Sequence, residues 1–240
     1  MSNYVPIFAH RGASAYAFEN SIEALNEALV LQADGVEIDI QCSKDNILFV
    51  FHDLNLKRLA DINKNIVDCT AEELKGYRLG RNFLRRFSKR TMPTFEEVIS
   101  WALEHRMPIN VELKESLVGQ PTSIIEVLKI IQLPDGSHFS SFHNELLQLV
   151  KKHRPEFETA LIITKKFNWE ELHLYSHIDT IHAHKKYYKT RFLKACENAN
   201  KNMRFYGITG EENYIEDPHP IVTGWITDYP DRLAKKQNRQ

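Results

Sequence analysis

Strand-like and helix-like patterns alternate from one end of this 240-residue chain to the other, and this alternation limits its possible folds more than any other feature. Short apolar and β-branched runs read as strands at 5–9, 36–40, 109–113, 139–142, 159–163, 180–184, 204–209 and 225–227. Segments with apolar residues at helical spacing read as helices at 20–32, 94–106, 122–131, about 143–154, 169–175 and 190–199. Residues 211–215 read as a short helix or turn, and the basic tail as a short final helix. The first helix carries Ile22, Leu25, Ala28 and Leu29 on one face. Pro93 precedes the second, where Thr94 and Glu97 have capping-box spacing.

About eight β/α units in one chain of this length fit a closed (β/α)8 TIM barrel, a single domain over 1–240. The alternative is an open doubly wound sheet. It would carry a Gly-rich nucleotide loop near its start, and the sequence has none. The run at 47–51 extends or follows the second strand. Residues 53–92 break the rhythm with mixed polar and basic sequence. They read as an insertion over the C-terminal mouth of the barrel, where loops shape substrate access.

Bulk composition excludes several function classes. With 42% hydrophobic and 26% charged residues the chain is ordinary for a globular protein. Its net charge of −1 gives no global field toward nucleic acid or a membrane surface, so no nucleic-acid partner is expected. The stretch from Lys75 to Arg90 is locally basic, with Arg78, Arg81, Arg85, Arg86 and Lys89. It reads as a solvated face, with a docking surface for an anionic substrate or lipid as the alternative. Cys42, Cys69 and Cys196 are odd in number, widely spaced and free of CxxC, against a disulfide framework or zinc site. The first residues run straight into a strand without a leader pattern, and no window reaches the roughly 18 apolar residues of a membrane helix. A cytoplasmic protein without stable membrane insertion is expected; the oligomeric state is not legible.

The strands end in chemistry. Glu37 and Asp39 are two apart in one strand, so their carboxylates point the same way while Ile38 points into apolar packing. Like charges so placed repel unless a cation lies between them, and a hard divalent ion, Mg²⁺ or Ca²⁺, takes oxygen ligands. Glu112, on another strand, would be the third carboxylate, and Lys114 shares its face. The plain alternatives are solvated acids and a simple salt bridge. His10 and Arg11 end the first strand and His52 follows the run at 47–51. An arginine there can fork onto phosphate oxygens, and two imidazoles can share acid and base work on a P–O bond. His182 and His184 alternate on a later strand and compete as a metal pair, but Lys185 and Lys186 follow and no carboxylate flanks them. Cys42 reads as packing.

In order, HRGASAYAFENSIEAL, GVEIDIQCSKDNILFVFHDLNLKR, VELK and ITDYPDRL resemble the glycerophosphodiester phosphodiesterase family, over about Val5 to Leu233. The resemblance implies a (β/α)8 barrel with a small insertion after the second strand. It implies His10 and His52 as the catalytic pair, Arg11 and Lys114 as substrate-binding, and Glu37, Asp39 and Glu112 as ligands of one divalent cation, Mg²⁺ or Ca²⁺. Glu19 and Asn20 match the EN of the family's first loop; the acid is expected to touch the site, and Asn20 to shape it or to cap the first helix. The implied reaction is hydrolysis of a small glycerophosphodiester to sn-glycerol 3-phosphate and an alcohol, by direct attack of water or through a cyclic phosphate. The family's WTVN-like segment is replaced here by Tyr206, Gly207, Ile208 and Thr209, and its aspartate and small residues before ITDYP by Thr223, Gly224 and Trp225, which implies an altered pocket for the leaving alcohol or the glycerol end. The alternatives are a lysophospholipase D or cyclising phospholipase on the same scaffold, or a non-catalytic phosphate-binding protein.

Overall fold

Eight parallel strands close into a barrel. The computed structural model describes residues 4–80 and 87–237, and Arg81, Arg85 and Arg86 of the basic stretch lie outside them. In chain order the barrel strands are β1 (Ile7–His10), β2 (Gly35–Cys42), β4 (Ile109–Leu113), β5 (His138–Ser141), β6 (Glu158–Ile162), β7 (Thr180–His184), β8 (Asn202–Ile208) and β9 (Val222–Thr227). Each pairs with the next, and β1 pairs with both β2 and β9, closing the ring. One further strand, β3 (Leu48–Val50), lies antiparallel on the end of β2, pairing Ile40 with Val50. The run at 47–51 is therefore a hairpin return that stands outside the barrel.

The outer layer is α1 (Ile22–Val30), α4 (Phe95–His105), α5 (Pro121–Ile130), α6 (Asn144–His153), α7 (Thr190–Asn198) and α8 (Pro230–Lys236). Between β6 and β7 the expected helix is a 3-10 segment, Trp169–Leu174. Thr94 and Glu97 make both bonds of a capping box at α4. Helix α1 starts later than its apolar pattern suggests: Ser21 is its cap, accepting from the Ala24 N–H, so Asn20 is not the N-cap. Outward-facing strand residues such as Ile38, Ile40 and Val111 pack with Leu25, Val98 and Ile124 of the helices in one apolar layer. Trp225, Phe205 and Leu193 anchor the corresponding layer on the other side.

The segment between β3 and α4 has its own small core. It contains α2 (Lys57–Ala60) and α3 (Ala71–Gly76), and buries Leu56, Leu59, Ile66, Leu74 and Met92 against Phe49 and Phe51. Phe18 of the β1–α1 loop packs on the same core, so this segment stands beside the C-terminal end of β1.

Candidate active site

The register explains why distant residues meet. His10 lies opposite Glu37 on β1 and β2, and Asp39 lies opposite Glu112 on β2 and β4. All four side chains have inward parity, so they gather at the C-terminal ends of neighbouring strands. Glu37, Asp39 and Glu112 each offer an oxygen, all within 4.8 Å of one another. Among the described residues no other such group of three or more His, Cys, Asp or Glu occurs.

Chain geometry after β1 delivers the cation. Arg11 and Gly12 both have positive φ, at 57° and 75°. A Cβ on Gly12 would lie 2.6 Å from the Ala24 carbonyl carbon, so only glycine lets this turn dock on α1. The turn aims the Arg11 N–H at Glu37 Oε2 (2.9 Å) and its guanidinium at Glu19 Oε1 (2.8 Å), with Nε 3.3 Å from Asp39. On the opposite side Lys114 Nζ donates to Glu112 Oε1 at 2.7 Å and lies 3.5 Å from Asp39. Asn20, also at positive φ, turns its amide onto Asp39 Oδ2 at 2.9 Å. Its place in the sequence pattern is explained by that contact.

Each histidine is held by its own aspartate. His10 Nδ1 lies 2.6 Å from Asp228 Oδ1, which also accepts from the Ser14 hydroxyl at 2.9 Å. His52 Nδ1 lies 2.7 Å from Asp53 Oδ1. The carboxylates accept, so both Nδ1 atoms carry the proton and both Nε2 atoms are left for the site. Asp228 and Asp53 escaped the reading of the sequence; their signal was adjacency to a strand end in ITD and HD.

The electrostatics separate the two histidines. Burial lowers the His10 pKa, but the Asp228 hydrogen bond and the Glu37 charge outweigh it and the net shift is upward. At His52 burial prevails, aided by Lys114 and Arg11 against Asp39, and the pKa is lowered. Glu37 is pushed up to about 8, by burial first and then by Asp39, and Glu112 to about 7 for the same two reasons. Asp39 is held below the usual range: burial opposes this, but Lys114 and Arg11 prevail.

A divalent cation fits these residues. Glu37 Oε1 and Asp39 Oδ1 are buried oxygens with no hydrogen-bond partner in the protein. An all-oxygen carboxylate set suits a hard ion such as Mg²⁺ or Ca²⁺. Beside it is a cavity of about 230 Å³ bounded by His10, Arg11, His52, Glu112, Phe142 and Tyr206. His182 reaches its floor, buried, with its pKa well lowered by burial and by Arg204. His184 instead packs its ring on Tyr206 at 5.4 Å and accepts from the Lys186 N–H, so the two do not form a metal pair. Of the altered segments, Tyr206 reaches the cavity, beside Ile226 of the matching ITDYP block, whereas Trp225 is buried in the outer apolar layer. Gly224 makes room for Arg204, whose side chain crosses the barrel to Glu158. Cys42 is buried in the core and bonds Ser123.

A barrel with carboxylates, paired imidazoles and two cations at its C-terminal mouth defines a phosphate-ester hydrolase. The sequence profile of the glycerophosphoryl diester phosphodiesterase family matches residues 10–232, and the chain belongs to that family of phosphoric diester hydrolases. A glycerophosphodiester phosphodiesterase of Bacillus altitudinis is 30% identical, over 95% of this chain and 96% of its own length. One from Caldanaerobacter subterraneus subsp. tengcongensis is 28% identical over 95% of each. A phosphodiesterase of Oleispira antarctica, solved in complex with the product sn-glycerol-3-phosphate, superposes with a TM-score of 0.83 at 26% identity, covering 97% of this chain and 96% of that one.

Proposed function

We propose that the chain hydrolyses glycerophosphodiesters to sn-glycerol 3-phosphate and an alcohol, using His10 and His52 as acid and base and one divalent cation, Mg²⁺ or Ca²⁺, held by Glu37, Asp39 and Glu112. The observation that carries this reading is one cavity lined by two aspartate-held imidazoles, Arg11, Glu37 and Glu112, with Asp39 grouped with those two glutamates and Lys114 bonded to Glu112. The product bound by the Oleispira relative supports the same product here.

Held by Glu37, Asp39 and Glu112, a divalent cation would supply positive charge to polarise the phosphoryl group and acidify a hydroxyl. Arg11 and Lys114 spread the charge that develops on the phosphate oxygens. The opposite pKa shifts divide the proton work. His52, whose pKa is lowered, takes a proton on Nε2 from the attacking hydroxyl. His10, whose pKa is raised, gives one from Nε2 to the leaving oxygen. Asp53 and Asp228 keep each ring in the required tautomer. Phe142, 43% exposed at the cavity edge, and Tyr206 offer apolar faces to the rest of the substrate. Three free, buried cysteines support a reducing, cytoplasmic setting for this glycerol and lipid metabolism. Among the described residues no helix is long and apolar enough to cross a membrane.

The test is release of sn-glycerol 3-phosphate from glycerophosphocholine in the presence of Mg²⁺ or Ca²⁺. Activity should vanish with EDTA and in Glu37→Gln. Turnover of lysophosphatidylcholine with none of glycerophosphocholine would replace this reading by a lysophospholipase D.

A further inference from the structure

Arg58 makes a connection that the chemistry above does not use. It sits on α2, in the segment between β3 and α4, flanked by the buried Leu56 and Leu59 that pin this turn to the segment's own core. Its Nε donates to Asp53 Oδ2 at 2.5 Å. Its two terminal nitrogens donate to Glu19, to Oε2 at 2.6 Å and Oε1 at 2.8 Å. The other oxygen of Asp53 holds His52, and Glu19 Oε1 also accepts from Arg11. One guanidinium thus joins His52 to Arg11 through two carboxylates, along a path that leaves the barrel and returns.

We propose that Arg58 is a positioning residue for the phosphodiesterase reaction: its fork fixes the Asp53 carboxylate that orients His52 and the Glu19 carboxylate that orients Arg11, and so sets the proton-transferring and phosphate-binding groups relative to each other. The inference rests on the catalytic reading of His52. Only a planar fork can serve two carboxylates at these angles; a lysine would keep the charge and lose the geometry. Without the fork, Asp53 and Glu19 are free to rotate and His52 loses its fixed orientation. A misplacement of about 1 Å is enough to cost on the order of 10²-fold in rate.

Steady-state kinetics with glycerophosphocholine and Mg²⁺ test this in Arg58→Ala, Arg58→Lys, His52→Ala and the Arg58→Ala/His52→Ala double variant. Arg58→Ala should lose about 10²-fold in kcat and raise KM several-fold, and Arg58→Lys should recover only a small part. Methylguanidinium should restore activity to Arg58→Ala and leave His52→Ala unchanged. In the His52→Ala background, removing Arg58 should lower kcat by much less than it does with His52 present, since the ring it orients is gone and only the Glu19–Arg11 arm remains to be lost. Should Arg58→Ala be unstable, Arg58→Gln carries the test, with a fall in kcat and a rise in KM at a melting temperature close to wild type. Near-wild-type kcat in Arg58→Ala beside an inactive His52→Ala would overturn the clamp alone, as would full recovery by lysine or kcat losses that multiply. Full activity in His52→Ala would overturn the catalytic reading and the clamp with it.

Discussion

Asp228 holds His10 at 2.6 Å and Asp53 holds His52 at 2.7 Å, although each histidine sits in a different field. The Nδ1–carboxylate bond sets the tautomer, while the neighbours set the charge. Two predictions belong at this scale. His10→Ala and His52→Ala should each reduce kcat by roughly 10²–10⁴-fold, measured by product release at saturating substrate. The pH profile of kcat/KM should be a bell. Its acid limb should lie below the ordinary histidine value of 6.5, where His52 with its lowered pKa becomes protonated and ceases to be a base. Its alkaline limb should lie above 6.5, where His10 with its raised pKa loses the proton it must donate. His52→Ala should remove the acid limb from the residual activity; a limb that persists there would reassign the base. The residues carrying the strongest sequence signal, Glu37, Asp39, Glu112, Arg11 and Lys114, are those whose type and period-two spacing have few other uses on a strand. Asp228 and Arg58 lacked that signal, because an aspartate after a strand and an arginine in a basic segment are ordinary until their partners are known.

At the scale of elements, the turn after β1 joins local conformation to chemistry. Gly12 has φ 75° and no room for a Cβ against Ala24. Gly12→Ala should therefore destabilise by more than about 1 kcal/mol in denaturant unfolding, and lower activity through displacement of Arg11. The capping box at α4 is remote from the chemistry. Thr94→Ala should cost about 1 kcal/mol of stability with kcat unchanged. Helix boundaries read from apolar spacing came within a residue or two for α4, α5 and α7. Asn20 shapes the site through Asp39 and leaves the cap of α1 to Ser21, and at 169–174 a 3-10 segment replaces the expected helix. In both places a tertiary contact or a short connection outweighed helical propensity.

For the whole molecule, the barrel gathers like charges in a buried cluster, and this ties stability to cation and pH. Glu37 at about 8 and Glu112 at about 7 stand above the carboxylate's ordinary 4.5. The folded, metal-free protein therefore holds protons that the unfolded chain has released, and stability should fall as pH rises from about 5 to 8. Mg²⁺ or Ca²⁺ should raise the melting temperature more at pH 8 than at pH 5, read by calorimetry on chelator-treated protein; an equal rise at both would contradict the carboxylate cluster as the cation site. Strand count, helix order and the polar strand ends were legible from the chain because period-two and helical spacing are local properties, set by which face of each element must be buried. The meeting of His10 with Asp228, the place of β3 outside the ring and the reach of Arg58 to Glu19 belong to the tertiary structure. They depend on register between segments as far apart as His10 and Asp228, and no local pattern specifies a register between strands that meet only when the barrel shuts.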